Sequence, residues 1–278
     1  MNTGAWEWDE SLYAGSAAHY AAGRMPYPPR LAEVIRDAVG LDGTGRLLDV
    51  GCGPGSLTLL LAPYVRSAVG IDADREMIVE ARRRAAGSGV RNIEWRHMRA
   101  EEIPADLGTF RVATFAQSFH WMDQHVVAQR VRRMLSPDGA WIHVGATTHR
   151  GVPGDDPLPH PQPPWERIEE LVASHLGPVR RAGRGTLPAG TRGGEEEVIR
   201  RAGFTGPERI DVERGEVVER SLDEIVSAVF SLSGSAPHLF GARLGEFEDD
   251  LRHLLEASSP DGSFSERARE IGVVIWRP

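Results

Sequence analysis

Short runs rich in apolar residues alternate with amphipathic segments between residues 31 and 146. Apolar runs bounded by turn residues are typical of buried strands, and apolar positions three and four residues apart are typical of helices that cover them. The predicted strands are RLLDVG, AVGIDA, NIEWRHM, FRVATFAQ and AWIHVGA, and the predicted helices are residues 31–40, 56–65, 74–87 and 124–135. This alternation predicts right-handed βαβ units and a parallel sheet with helices on both faces.

The alternation ends at residue 149, where the Pro/Gly-rich stretch HRGVPGDDPLPHPQPPW begins. Further helices are predicted at 166–176, 195–203, 221–232 and 242–257, and SPDG at 136–139 predicts a turn. A length of 278 residues fits one large domain or two small ones, and we expect a single domain over residues 1–278. Its predicted parts are an N-terminal cap and helix at 1–44, a core at 45–146, insertions at 147–194 and 214–269 that form a lid, and closing strands at 206–213 and 270–277.

Three glycines at alternate positions follow the first predicted strand in LLDVGCGPG, at residues 51, 53 and 55. In open α/β sheets, ligands lie at the carboxyl ends of the strands, where a side chain on the first turn would collide with them. The dinucleotide fingerprint G-x-G-x-x-G does not fit, since its third glycine falls on Ser56. Asp72 ends the second strand, where an acid accepts hydrogen bonds from ribose hydroxyls.

The segments LLDVGCGPG, GIDADREMIVEAR, AEEIP, ATFAQSFHWMD and LSPDG, in this order, resemble the motif set of the class I S-adenosylmethionine (SAM)-dependent methyltransferases. The resemblance covers residues 45–145, and HYAAGRMPYP is similar to the lead segment of a small-molecule branch (type 11-like) that includes carboxyl and hydroxyl methyltransferases. It implies a Rossmann-like three-layer α/β/α sandwich. The sheet would have seven mostly parallel strands with a late antiparallel strand.

The resemblance also implies a set of cofactor contacts. Asp49 would orient the methionine ammonium, Asp72 would hold the ribose hydroxyls, and Arg99 departs from the acid that the family commonly has there. The residues expected around SAM, and around the product S-adenosylhomocysteine (SAH), are Tyr20, Arg24, Asp49, Gly51, Cys52, Gly53, Asp72, Ala73, Met77, Ala100, Glu101, Ala116 and Gln117. The Cys52 side chain is expected to pack rather than react.

The acceptor is expected beyond the fourth strand, where SFHWMD follows. His120 is the candidate general base, because an imidazole with a pKa near ~6.5 suits deprotonation of a phenol or activated hydroxyl. The alternative is that His120 only shapes the pocket, since a carboxylate acceptor needs no base. Trp121 and Tyr27 are candidate pocket walls. An arginine cluster, Arg180, Arg181, Arg184 and Arg192, either attracts an acidic substrate or forms a solvated loop face.

The composition of the chain argues against several classes of function and of site. A net charge of −8 argues against a general nucleic-acid binder. A single cysteine, Cys52, leaves neither an intrachain disulfide nor a Cys/His metal framework. We expect a cytoplasmic protein without a bound metal or a membrane association, acting on a small molecule as a monomer or homodimer.

Two other functions stay open at this point. A non-methylating protein that uses SAM to position a substrate would have the same cofactor residues. A nicotinamide-dependent oxidoreductase is disfavoured by Ser56 and by the Asp49 carboxylate.

Overall fold

A computed structural model of the chain describes residues 9–152, 156–183, 185–186 and 193–278. The strands are β1 Arg46–Val50, β2 Ser67–Asp72, β3 Ile93–His97, β4 Phe110–Ala116, β5 Leu135–Gly145, β6 Arg181–Ala182, β7 Gly185–Thr186, β8 Thr205–Val212, β9 Val217–Ser221, β10 Ser263–Arg267 and β11 Ile271–Arg277. The helices are α1 Ala17–Gly23, α2 Pro29–Val39, α3 Ser56–Leu61, α4 Arg75–Ser88, α5 Gln124–Met134, α6 Trp165–Leu176, α7 Glu195–Arg201, α8 Leu222–Phe230 and α9 Leu244–Ser258.

Seven strands form one sheet in the order β3-β2-β1-β4-β5-β11-β8. The first five pair in parallel, whereas β11 runs antiparallel to both β5 and β8. The carboxyl ends of β1, β2 and β4 therefore meet at one edge, where the glycine turn lies. This topology confirms the predicted mostly parallel seven-stranded sheet with a late antiparallel strand.

The sheet separates two hydrophobic cores. Leu47 and Leu48 are both fully buried in β1, but they belong to different cores because adjacent strand residues point to opposite faces. One face packs under α2 and α3, and the other packs aromatic side chains such as Trp141 against α5 and α7. The sandwich thus has helices on both sides. Asp74 caps α4 and accepts hydrogen bonds from the backbone N–H groups of Glu76 and Met77.

A third core lies in what we call the helical insertion, which comprises α6, α8, α9 and the two-stranded antiparallel sheet of β9 and β10. Phe240 and Phe247 stack at its centre with ring centroids 3.9 Å apart. Helix α1 packs directly on α8, since a Cβ at Gly23 would lie 2.2 Å from the backbone of Ser227. The cap and the insertion are therefore in contact.

A buried ion pair ties these parts together. The Arg220 guanidinium donates to the Glu266 carboxylate at 3.0 Å and to the backbone carbonyls of Gly23 and His149, both at 2.8 Å. The second Glu266 oxygen accepts the Trp165 indole N–H at 2.7 Å. Both charged side chains are almost completely buried. The network connects the cap, the segment after β5, and the insertion.

Several elements differ from the sequence prediction. SPDG, predicted as a turn before the fifth strand, is part of that strand, because β5 already begins at Leu135. The pairing of β5 with β4 shifts register in this region. Helix α2 begins at Pro29, where a missing N–H costs nothing at the first helical position. Helix α1 was not predicted, since AAHYAAG has no clear apolar stripe. The pairing of β9 with β10 was not predicted either, because the paired residues Ser221 and Ser263 are 42 positions apart in the sequence.

No helix in the described ranges is long and apolar enough to cross a membrane.

Candidate active site

The three glycines of the first turn serve two different purposes. All have positive φ, at +67°, +53° and +79° for Gly51, Gly53 and Gly55. A Cβ at Gly51 would lie 2.5 Å from Cβ of Ser118, and one at Gly55 would lie 2.4 Å from the Trp95 ring. A Cβ at Gly53 would meet no atom within 4 Å. Gly51 and Gly55 are therefore required by packing, whereas Gly53 borders open space that a ligand can fill.

This open space is a groove at the carboxyl ends of β1, β2 and β4. Of the residues predicted around the cofactor, the groove brings together Tyr20, Gly51, Gly53, Asp72, Ala73, Met77, Ala100, Glu101, Ala116 and Gln117. Trp121, predicted on the acceptor side, also lines it. The groove is narrow, with a free volume of about 80 Å³.

A larger chamber of about 540 Å³ adjoins the groove and shares four of its residues, Tyr20, Gly51, Gly53 and Ala116. We call it the glycine chamber. It also contains three predicted residues that are absent from the groove wall, Arg24, Tyr27 and Cys52. Ligand pockets commonly measure several hundred Å³, so the groove and the glycine chamber together have the size of an extended ligand, although the groove alone does not.

Asp72 is fixed at the boundary between the groove and the turn. One carboxylate oxygen accepts the Gly53 N–H and the other accepts the Asp74 N–H, each at 2.8 Å. Burial raises the pKa of Asp72 to about 6, against the lowering effect of these hydrogen bonds. Each carboxylate oxygen has further lone pairs, so the side chain retains acceptor capacity for hydroxyl donors in the groove.

Asp49 lies below the turn, outside the walls of the groove and the glycine chamber. Its two oxygens accept the hydroxyls of Thr58 at 2.5 Å and Thr114 at 2.7 Å. Burial raises its pKa to about 6. In this geometry Asp49 acts on the groove through the backbone above it rather than through its side chain.

Arg24 extends over the other end of the site. Its guanidinium lies 4.5 Å above the Tyr20 ring and donates to the Ser231 hydroxyl and carbonyl at 2.8 and 3.0 Å. None of the carboxylates in the described part of the chain forms an ion pair with Arg24, so its charge is available to an anionic ligand group in the glycine chamber. Burial raises the pKa of Tyr27 nearby, which keeps its phenol neutral.

Glu101 and Arg99 form a polar rim at the far end of the groove. The Glu101 carboxylate accepts the Asp123 N–H at 2.7 Å and lies 3.4 Å from Arg99 Nε. Arg99 thus pairs with its neighbour at the position where the family has an acid. Cys52 is buried against Trp95, and burial raises its thiol pKa, which agrees with a packing role.

Gln117 has the only positive φ among the described non-glycine residues, at +55°. It directly follows β4, which ends at Ala116, and it lines the groove and two further cavities. A left-handed conformation costs a non-glycine residue of order 1–3 kcal/mol, and such outliers cluster at functional sites. The strained turn places the Gln117 side chain at the exit from the groove.

His120 lies in one of these two cavities, which we call the histidine cavity and which measures about 320 Å³. It is not part of the groove wall. Burial and, to a smaller extent, the charge of Arg180 lower the pKa of His120 to about 4. The imidazole is therefore neutral at physiological pH, but it is a weaker base than an imidazole with the ordinary pKa of about 6.5.

The histidine cavity also contains His143, which lies in the predicted strand AWIHVGA. Its Nδ1 lies 3.5 Å from Glu195, whereas its buried Nε2 has no hydrogen-bond partner in the structure as described. Burial lowers its pKa to about 3. His143 is thus a buried polar group with one unsatisfied nitrogen.

Sequence reasoning missed part of the groove. Tyr13 packs edge-on against Trp121 with ring centroids 6.3 Å apart, and burial raises its pKa to about 12. Met98, Ser118 and Met122 also line the groove. Ser118 and Met122 belong to the ATFAQSFHWMD motif itself, so the sequence did carry a signal for them. Tyr13 carried no such signal, because it precedes every motif. Arg184 and Arg192 of the predicted arginine cluster lie outside the described residues.

Comparisons with known proteins agree with this geometry. Residues 47–139 match a methyltransferase domain family. The chain is 33% identical to the methyltransferase YcgJ of Bacillus subtilis over 100 residues, which is 36% of this chain and 40% of YcgJ. It is 40% identical to mouse tRNA (uracil-5-)-methyltransferase homolog A over 73 residues, 26% of this chain and 12% of that protein. Among the first curated relatives, the match spans 40% to 55% of the relative's length.

The solved structure of YcgJ superimposes with a TM-score of 0.50 at 18% identity, and the alignment covers 89% of this chain and 97% of YcgJ. At this identity the likeness establishes the fold. Residues 47–139 therefore form a methyltransferase domain, and the sheet order agrees with the resemblance of the motif set to the class I SAM-dependent methyltransferases.

Proposed function

We propose that the protein transfers the methyl group of SAM to an oxygen atom of a small-molecule acceptor. The observation that carries this proposal is the pair of neighbouring cavities, the groove and the glycine chamber, which share Gly53 in their walls. Asp72 lines the groove, and Arg24, which forms no ion pair with a described carboxylate, lines the glycine chamber. A ligand that carries both a ribose and an anionic group matches that arrangement.

The residues present fit SAM. Asp72 would accept hydrogen bonds from the ribose hydroxyls, and Ala73 with Met77 would flank the adenine. Ala100 and Glu101 would meet the adenine edge. Arg24 would pair with the methionine carboxylate under the cover of Tyr20, and Asp49 would act through the turn that it supports. Ala116 and Gln117 would border the methionyl end. SAH would leave by the same route.

Bound SAM would supply an activated electrophilic methyl group, and the chain must align the acceptor and exclude water. Trp121 and Tyr13 close the groove by packing against each other. A neutral His120 hydrogen-bonds an acceptor oxygen or takes a proton from an acidic hydroxyl. A pKa of about 4 makes it a poor base for an unactivated alcohol, because proton transfer is most effective when the base's pKa lies near the operating pH.

Binding of SAM and SAH, measured by calorimetry, tests the cofactor half of the proposal. Asp72→Asn should lose at least tenfold in affinity, and the matched surface variant Asp106→Asn should lose none. Retention of full SAM affinity by Asp72→Asn would contradict the assignment.

Transfer is tested with deuterated-methyl SAM, a metabolite extract and, in a separate arm, tRNA. Labelled small molecules support the proposal, and labelled tRNA would replace it with the activity named for the mouse relative. Bound SAM that stays intact while a substrate turns over would favour a non-methylating role. A cytoplasmic location and a monomer or homodimer remain predictions from the sequence.

A further inference from the structure

The helical insertion contains a cavity of about 470 Å³, which we call the insertion cavity. Its walls are mainly apolar and come from α6, α8 and the segment after α6, including Trp165, Ile168, Val172, Leu176 and Val229. A core helix pair normally fills such space with side chains. The cavity has the size and lining of a pocket for an apolar organic molecule.

The charged residues that line the insertion cavity are three arginines and one glutamate, so positive charge is in excess. Arg150 and Glu169 neutralise each other in an ion pair at 2.7 Å. Arg180 and Arg181 also line the cavity, and neither forms an ion pair within the described ranges. Arg181 points its Nε toward the Leu176 carbonyl at 3.4 Å, and Arg180 donates to the Ser233 hydroxyl at 3.4 Å. Two positive charges therefore remain for an anionic ligand.

Arg180 also acts on the active site. Its positive charge adds to the lowered pKa of His120, which burial causes in the first place. It is among the cations that oppose the burial-driven rise in the pKa of Tyr13. Since Tyr13 lines the groove and His120 lines the histidine cavity, the charge of Arg180, which lines the insertion cavity, reaches both of these other cavities.

We propose that the insertion cavity binds an apolar carboxylic acid whose carboxylate pairs with Arg180, and that this carboxylate is the methyl acceptor. The second half rests on the proposed function. An ionised carboxylate oxygen attacks the sulfonium methyl with its own lone pair and forms the new C–O bond. The methyl C–S bond breaks, and its electron pair stays on sulfur to give the neutral thioether of SAH and a methyl ester. No proton is released, so the reaction requires no base, which agrees with the weak basicity of His120.

The test uses octanoate, octan-1-ol and octylamine as probes of equal chain length, with binding measured by calorimetry in the presence of SAH. We expect octanoate to bind at least tenfold more tightly than octan-1-ol, and octylamine to bind weakest. Arg180→Gln should remove the preference for octanoate and leave SAH affinity unchanged. Arg181→Gln is the matched control, and should retain most of the preference.

Equal binding of octanoate and octan-1-ol by the native protein would overturn the proposal, and so would a preference that depends on Arg181 alone. Ala173→Phe, which narrows the cavity and leaves the arginines unchanged, should weaken the binding of octanoate but not the binding of acetate. Deuterated-methyl SAM then tests transfer: a labelled methyl ester of octanoate or 4-phenylbutyrate supports the acceptor role. Arg180-dependent binding without any labelled ester would overturn that role. Absent SAH binding with intact octanoate binding would instead refute the proposed function and leave the cavity assignment standing.

Discussion

The carboxylate of Asp72 accepts the backbone N–H of Gly53 at 2.8 Å and so joins the end of β2 to the glycine turn after β1. The bond holds Gly53 at φ +53° with its open side toward the groove. The residue proposed to hold the ribose therefore also shapes the backbone beneath it.

Gly53→Ala should separate binding from stability. A left-handed conformation costs an alanine about 1–2 kcal/mol, but the new Cβ meets no protein atom within 4 Å. SAH affinity should fall at least tenfold in calorimetry, because the methyl group occupies the ligand's space.

Gly55→Ala is the matched control for that substitution. Its Cβ would lie 2.4 Å from the Trp95 ring, so strain and overpacking together should lower the free energy of unfolding by about 3 kcal/mol or more in urea denaturation. A Gly53→Ala protein that binds SAH normally would refute the assignment of the open side of Gly53 to the ligand.

Gln117→Ala should impair turnover more than cofactor binding. The side chain lines the groove and the histidine cavity at the exit from β4, so its loss is expected to raise the acceptor KM and lower kcat about tenfold, as for a misplaced positioning residue. SAH affinity should change less than threefold. Gln117→Asn should restore part of the activity, since asparagine tolerates positive φ and keeps the amide.

The opposite pattern at Gln117, with SAH affinity lost and kcat unchanged, would show that the residue serves the cofactor alone.

The sequence predicted those parts of the site that are formed by residues close together in the chain. It did not predict the parts that depend on residues far apart in the chain. LLDVGCGPG and Asp72 could be placed because the strand–turn–helix geometry follows from local pattern. The left-handed Gln117 could not, because its strain depends on the surrounding fold. The Arg220–Glu266 pair joins residues 46 positions apart, and no periodicity reports such a pairing. The absence of Asp49 from the cavity walls likewise follows from Thr58 and Thr114, which lie on other elements.

Glu266→Gln should destabilise the protein strongly. Removing one partner of a buried pair leaves an uncompensated charge and costs about 3–5 kcal/mol. Chemical denaturation should show this loss at both low and high salt, since buried pairs are weakly screened.

The exposed pair of Arg201 and Glu197 on α7 provides the control for Glu266→Gln. Glu197→Gln should change the free energy of unfolding by less than about 1 kcal/mol. The double variant Arg220→Met/Glu266→Leu should recover much of the loss, and a double variant as unstable as the sum of the single variants would contradict a buried-charge explanation.

His143→Phe should make the protein more resistant to acid. Burial lowers the folded pKa of His143 to about 3, whereas in the unfolded chain an imidazole takes up a proton below about 6.5. The unfolded state therefore binds more protons as pH falls, and the folded state loses stability between pH 6.5 and pH 3. From pH 7 to pH 5 the loss attributable to His143 is about 2 kcal/mol. Phenylalanine fits the aromatic surroundings of Phe115, Phe119 and Trp141 and abolishes this titration.

Urea denaturation at pH 7, 6 and 5 measures the effect as a difference in slope between the native protein and the variant. Two other titratable groups face His143, namely Glu195 at 3.5 Å and His120, and both remain in the variant, so the difference in slope isolates His143. His143→Gln should lose the same slope but be less stable than His143→Phe at pH 7, because a buried amide without partners carries a desolvation cost. Equal slopes in all three proteins would show that His143 is hydrogen-bonded in solution through the Nε2 atom that lacks a partner here.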